Sequence, residues 1–425
     1  MISYRARRHQ RVADCESGQA SMVTVAMFMM LFAAIAVSFT FVVISASRQA
    51  LNDSLQSSAK IAAESGVEDA KRLIVYCYNK RQLGGGYSSA DDQKLCSQVI
   101  GKLSDDLETT GCDEILGKLD NPNYSNSFAV EKEGGRGHRV KVGNNGGGSN
   151  ENNEYYQCLK IATRTENYEG IVNNLGKSTV IPLRLVDGKG NPATQITEIV
   201  IQWHRNVDGV EGDGVANLAG TSGTGLPPAD KWKSNSHNRP AVLRVERVGV
   251  KKGSFSLNDL VASDTAVTFR PSSGGGNIVP MNNYHPLYND RPNYQYPNGV
   301  PIIETQCNSG GGTGNNYACT MSATDTLDAK NNDYYLRLSA IYKDAHFSIR
   351  AHNGSKILYF DGVQPLVDVT GSSSDSFSRI QARLKPSFDK NADSTNWWPE
   401  YVIDTNGKVC KDIEVQYDTG EDRCK

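Results

Sequence analysis

Residues 22–46 read MVTVAMFMMLFAAIAVSFTFVVISA, a run that is apolar apart from Thr24, Ser38, Thr40 and Ser45. No charged residue occurs between Ser17 and Ser47. As a helix rising ~1.5 Å per residue, the run measures about 37 Å and outspans the ~30 Å hydrocarbon core of a bilayer. A cleavable secretory signal carries an apolar region of only ~7–15 residues before a small-residue cleavage site, which does not fit this stretch. Residues 19–47 are therefore expected to cross a membrane. Upstream, residues 1–18 form a basic leader in which Arg5, Arg7, Arg8 and Arg11 face only Asp14 and Glu16. Positive charge on that flank places the N terminus in the cytoplasm and the long C-terminal part outside.

Downstream, residues 48–80 keep a helical period. Leu51, Leu55, Ala59, Ala62, Gly66, Ala70, Leu73 and Cys77 recur at steps of three and four, while Asp53, Gln56, Lys60, Glu64, Glu68 and Lys71 take the opposite face. Lys60 with Glu64 and Glu68 with Arg72 have the i,i+4 spacing of helical ion pairs. No proline interrupts the chain between Met22 and Tyr76, so one helix of about 55 residues, roughly 80 Å long, is expected. Its second half lays a stripe of small residues against another part of the protein.

A basic leader ending in Gly18, an uncharged helix starting directly after it, and the continuation AAESGVEDAK at Ala62–Lys71 resemble type IV pilins, and most of all minor pilins of the PilX kind. The resemblance implies cleavage by a prepilin peptidase between Gly18 and Gln19, and packing of the helix against other pilin subunits in a filament core. Most major pilins have a glutamate at the fifth mature position, where this chain has Val23. That departure points to a low-copy or tip-located subunit. The resemblance extends to FDGVQPLVDVTGSSSDSFSRIQARLKP, Phe360–Pro386, which looks like the strand-turn-strand near the end of such proteins.

The exterior chain divides into a cysteine- and glycine-containing connecting region (81–150), a β-rich middle region (151–275) and a β-rich C-terminal region (276–425). Short helices are expected only around Asp91–Lys102 and Asp113–Leu119. Elsewhere, alternation such as Ile199, Ile201 and Trp203 against Glu198, Val200 and Gln202 indicates half-buried antiparallel strands. The same holds for Leu336, Leu338 and Ala340, and for Ile380, Ala382 and Leu384. The fold class is α+β: a long N-terminal helix, transmembrane then amphipathic, followed by a mainly antiparallel β exterior of sandwich-like character.

Nine cysteines divide into Cys15 in the leader and eight outside: Cys77, Cys96, Cys112, Cys158, Cys307, Cys319, Cys410 and Cys424. An even count in an oxidising compartment implies about four disulfides. Proximity suggests Cys307 with Cys319 and Cys410 with Cys424; the first four then pair among themselves. Zinc is disfavoured because neither a CxxC nor a histidine pair at ligand spacing occurs.

With 45 basic against 47 acidic residues the net charge is -2, which offers nothing to nucleic acid. The GxSxG, HExxH and nucleotide-loop motifs are absent, and neither catalytic residues nor cofactors or metals are assigned. His346 and His352 read as surface residues of a strand, and Asp208, Glu211 and Asp213 as a solvated glycine turn rather than a calcium loop. The candidate binding loop is MNNYHPLYNDRPNYQYPNG, Met281–Gly299, where Tyr284, Tyr288, Tyr294 and Tyr296 with Arg291 combine rigid amphipathic area with polar reach. The expected function is a structural, non-catalytic pilin-like subunit that exposes a β-rich domain to a host or other surface. The alternative is a cell-surface adhesin anchored in the lipid bilayer and not assembled into a filament.

Overall fold

The computed structural model describes residues 17–81, 86, 87, 89–124, 128–134, 137–142, 154–173, 178–205, 216–218, 226, 229–232, 238–253, 265–276, 278–280, 302–308 and 317–385. Helix α1 runs unbroken over Ser17–Lys80, 64 residues or about 96 Å. Two short helices follow, α2 (Ala90–Val99) and α3 (Asp113–Leu119), separated by a 3-10 turn at Asp105–Leu107. The strands of the first half are β1 (Val130–Glu133), β2 (Gly137–Lys141), β3 (Glu154–Thr165), β4 (Asn167–Val172), β5 (Thr179–Pro182), β6 (Leu185–Val186) and β7 (Gln195–Arg205). After the helical turn α4 (Ala229–Trp232) come β8 (Val242–Lys251), β9 (Thr265–Ser272), β10 (Ile278–Pro280), β11 (Ile302–Gln306) and β12 (Tyr317–Asp328). The last four are β13 (Asn332–Ile341), β14 (Ala345–Asn353), β15 (Lys356–Ser373) and β16 (Ser376–Arg383).

These strands build two cores. In the first, β1, β2, β3, the second half of β15, and β16 form an antiparallel sheet whose one face packs against the upper half of α1. Leu73 and Ile74 of α1 meet Leu159, Ile161, Val367 and Val369 there, and Leu95, Ile115 and Leu116 of the short helices close the side. This unit is a collar around the helix.

The second core is a β-sandwich. One of its layers continues from the first half of β15 through β14, β7, β12 and β10, with β4 on β14 and β6 on β15. The other runs β11-β9-β8-β13-β5. Pairing is antiparallel except at β10 with β12 and β11 with β9. Alternation buries Ile199, Ile201 and Trp203 of β7 against Leu243 and Val245 of β8 and Leu336 and Leu338 of β13. The Trp203 ring lies 6.4 Å from Phe269 of the opposite layer, and its indole N–H donates to the Ala241 carbonyl at 3.0 Å.

The two cores divide the chain unlike a beads-on-a-string protein. All sandwich core residues lie between Tyr168 and Phe360, whereas the collar core draws on residues before and after that interval. Stretches 151–275 and 276–425 each contribute strands to both. The sandwich is thus inserted between β3 and the second half of β15, and β15 runs through both units.

Three disulfides join described residues: Cys77–Cys96, Cys112–Cys158 and Cys307–Cys319. The count among these residues is three rather than about four; Cys410 and Cys424 lie outside the described residues.

Candidate functional site: the long helix and its collar

The lower half of α1 has no cover from its own chain. Met22 is 78% exposed, Phe28 61% and Phe39 68%, and the exposure continues without interruption through Ile44. A soluble monomer rarely shows contiguous apolar patches beyond a few hundred Å². The few polar side chains here are satisfied within the helix: Ser38 Oγ donates to Ala34 O at 2.9 Å and Thr40 Oγ1 to Ala36 O at 2.8 Å. In hydrocarbon this removes the cost of an unpaired hydroxyl. This is the one helix among the described residues long and apolar enough to cross a membrane.

The upper half is gripped through small residues. Ala59, Ala62, Ala63, Gly66, Ala70 and Cys77 are buried, whereas Leu51 is 61% exposed and Leu55 only half-buried. The covered stripe therefore begins at Ala59, one to two turns later than the spacing alone suggests. The reason is the edge of the sheet: β15 ends at Ser373, and Gly371 already lies against the Ala59 carbonyl. A Cβ at Gly371 would overlap Ala59 O and Ala63 N, and one at Gly66 would lie 2.6 Å from Val369 Cγ1 and 3.0 Å from the Tyr156 ring. Two facing glycines let helix and strand approach more closely than any side chain would allow.

Polar groups on the seam are paired. The Tyr156 hydroxyl donates to Asp69 Oδ2 at 2.9 Å. Burial holds the Asp69 carboxyl above the usual carboxylate range, despite that hydrogen bond and the nearby Arg72 charge. Near the helix end, Asp92 of α2 accepts from Tyr76 at 2.6 Å and from Tyr124 at 3.0 Å, and its backbone N–H is capped by Ser89. Burial alone would raise this carboxyl, but the donated hydrogen bonds and Lys80 outweigh it and bring it below the usual range. Burial, with Asp92 as acceptor and charge, pushes Tyr76 up to about 12. On the open face Lys60 pairs with Glu64 at 3.8 Å as its spacing indicates. Glu68 instead meets Lys71 at 3.9 Å, because Arg72 turns to the half-buried Asp69 at 3.6 Å.

Cys77–Cys96 ties the last turn of α1 to α2, and Cys112–Cys158 ties the start of α3 to β3. Gly18 and Gln19 lie in the first turn of α1. The loop residues Tyr284, Tyr288, Arg291, Tyr294 and Tyr296 lie outside the described residues, as do Asp208, Glu211 and Asp213. His346 and His352 sit on β14, with His352 Nδ1 3.4 Å from Glu198.

Sequence reading missed the contact where α1 ends. Tyr78 Oη lies 3.4 Å from Asp361 Oδ1 and would be 2.5 Å from a Cβ at Gly362, whose φ is 72°. Gly362 within DGVQP was the available signal, a glycine inside a strand pattern marking a bulge or a close approach.

The described chain is an α+β protein in which one long apolar helix emerges from a disulfide-tied, mainly antiparallel β exterior. Comparisons with protein-family models, curated proteins and solved structures find no match to it.

Proposed function

We propose that the protein is a structural, non-catalytic subunit of a type IV pilus or related filament, minor or tip-located, that exposes its β-rich domain for surface attachment. The observation that carries this reading is the two-part design of α1. Its lower half is fully exposed and apolar, its upper half is recessed into a sheet through alanine and glycine, and the two form one straight element. Such a helix can rest in lipid and later pack against copies of itself or related subunits without refolding. The arginines at positions 5, 7, 8 and 11 support a cytoplasmic N terminus, which gives a prepilin peptidase access to the Gly18–Gln19 bond. Mass spectrometry of the mature N terminus tests the reading: a chain starting at Gln19 is expected. Retention of residues 1–18, or a cut near Ala46, rejects it.

A second reading is a membrane-anchored adhesin that does not enter a filament. It is favoured by the Ser38 and Thr40 hydroxyls, which bond to their own helix and require no neighbour. Val23, at the position where pilins usually carry a glutamate, points the same way. Fractionation separates the two: a filament subunit appears in sheared surface fibres, an anchored adhesin only with the membranes.

A further inference from the structure

The ladder between β15 and β3 breaks where the chain passes from collar to sandwich. Asp361 pairs with Arg164, and the next partners are Leu366 and Ala162, so three extra residues of β15 bulge out at this point. A bulge between two separate cores is where a hinge would form, since the backbone hydrogen bonds there no longer fix direction. Yet arginine side chains occupy both flanks of this break. On one side the Arg164 guanidinium, mostly buried, lies 3.6 Å from Asp361. It is enclosed by Gly101 of the connecting region and Gly190 of the sandwich, both at positive φ; a Cβ at Gly190 would overlap the guanidinium. On the other side Arg383 of β16 donates to Asn167 O at 3.0 Å and Asn167 Oδ1 at 2.9 Å and lies 3.5 Å from Glu169. Inside the bulge itself the Gln364 amide accepts from Glu169 N at 2.8 Å and donates to Glu169 O, replacing the missing rungs of the ladder with a side chain.

We propose that this joint is a locked hinge: Arg164 and Arg383 clamp the sandwich at one fixed orientation to the axis of α1. Planar guanidinium groups suit the task, because each holds several acceptors in a set geometry whereas a lysine fixes only a charge. A pull on the sandwich is then passed to the helix through the shared strand and both clamps, and is not absorbed by bending. The inference concerns the joint alone and holds whether or not the chain assembles into a filament.

The test is a spin-label distance measurement on the full chain in lipid nanodiscs, using genetically encoded labels at the exposed positions Glu64 of α1 and Lys251 of β8. The native protein should give a single narrow distance peak. The double variant R164A/R383A should broaden it about twofold or more, with the disulfides and the amide-exchange protection of β8 and β13 retained. If the double variant fails to fold, R164K, which keeps the charge but loses the fork, should broaden the peak on its own. A native peak that is already broad overturns the proposal, as does an unchanged width in a folded double variant or in R164K.

Discussion

Placing a methyl group at position 371 forces the helix and the strand apart. The new Cβ would overlap the Ala59 carbonyl and the Ala63 amide, both backbone atoms that no rotamer change can move. Relief requires the seam to open by ~1 Å. A gap of that size forfeits a quarter to a half of each ~0.1–0.2 kcal/mol atom contact, and over the ~40–60 contacts of one buried side chain this is about 3 kcal/mol. Gly66→Ala meets a softer obstacle, the Val369 methyl and the Tyr156 ring, and gains ~1 kcal/mol of helix propensity. Its net cost is expected at about 1 kcal/mol. Gly274→Ala points into open space and should stay within ~0.5 kcal/mol of the native protein. Urea unfolding of the full chain in detergent, followed by near-ultraviolet circular dichroism, ranks the three. A Gly371→Ala protein as stable as the native one, or less affected than Gly66→Ala, refutes the close-approach account of the seam.

The two buried carboxylates should respond to acid in opposite senses. Asp92 titrates below its unfolded value of ~3.9, so its contribution to stability is present above that value and is lost as the pH falls through the folded one. Asp92→Asn should cost about 1–2 kcal/mol at neutral pH and flatten the acid limb of a stability profile measured by urea unfolding. Asp69 titrates above its unfolded value, so the stability it contributes is complete below that value and is lost as the pH rises through the folded one. Asp69→Asn should therefore be neutral or stabilising at pH 7, with an advantage over the native protein that fades towards pH 3 in the same profile. Replacing Cys77 and Cys96 together by alanine opens a loop with a sequence separation of 19 and should cost about 3 kcal/mol, read from the urea midpoint. Removing residues 1–47 takes away no described core residue. The shortened chain should stay in solution without detergent and keep the native near-ultraviolet spectrum, whereas a lost spectrum would show that the span supports the fold.

Much of the framework was readable before any coordinates. The period of α1, the two short helices, and the alternating runs that became β7, β13 and β16 depend on local pattern, which survives in one dimension. Cys307 with Cys319 followed from proximity. Other features needed the third dimension. The strand β9 is buried along its whole length, so it carries no alternation to reveal it. Cys77 chooses Cys96, and Cys112 chooses Cys158, because α2 and α3 dock on different sides of the collar, which spacing does not encode. The place where the helix becomes covered depends on the far end of β15, some 300 residues later in the chain.

That distance has a consequence for how the protein is made. Tyr78 meets Asp361 across 283 residues, and the glycine facing Ala59 is Gly371. At a synthesis rate of ~5–20 residues per second, the helix stripe waits about 15–60 s for the strand that covers it. Closing so long a loop costs about 5 kcal/mol in chain entropy, and a sandwich folded beforehand lowers this by bringing Thr165 next to Phe360. The sandwich is therefore expected to fold first and deliver β15 to the waiting helix. Alanine and glycine suit the interval: they offer passing chains little apolar area, so the uncovered helix resists aggregation until its own strand arrives.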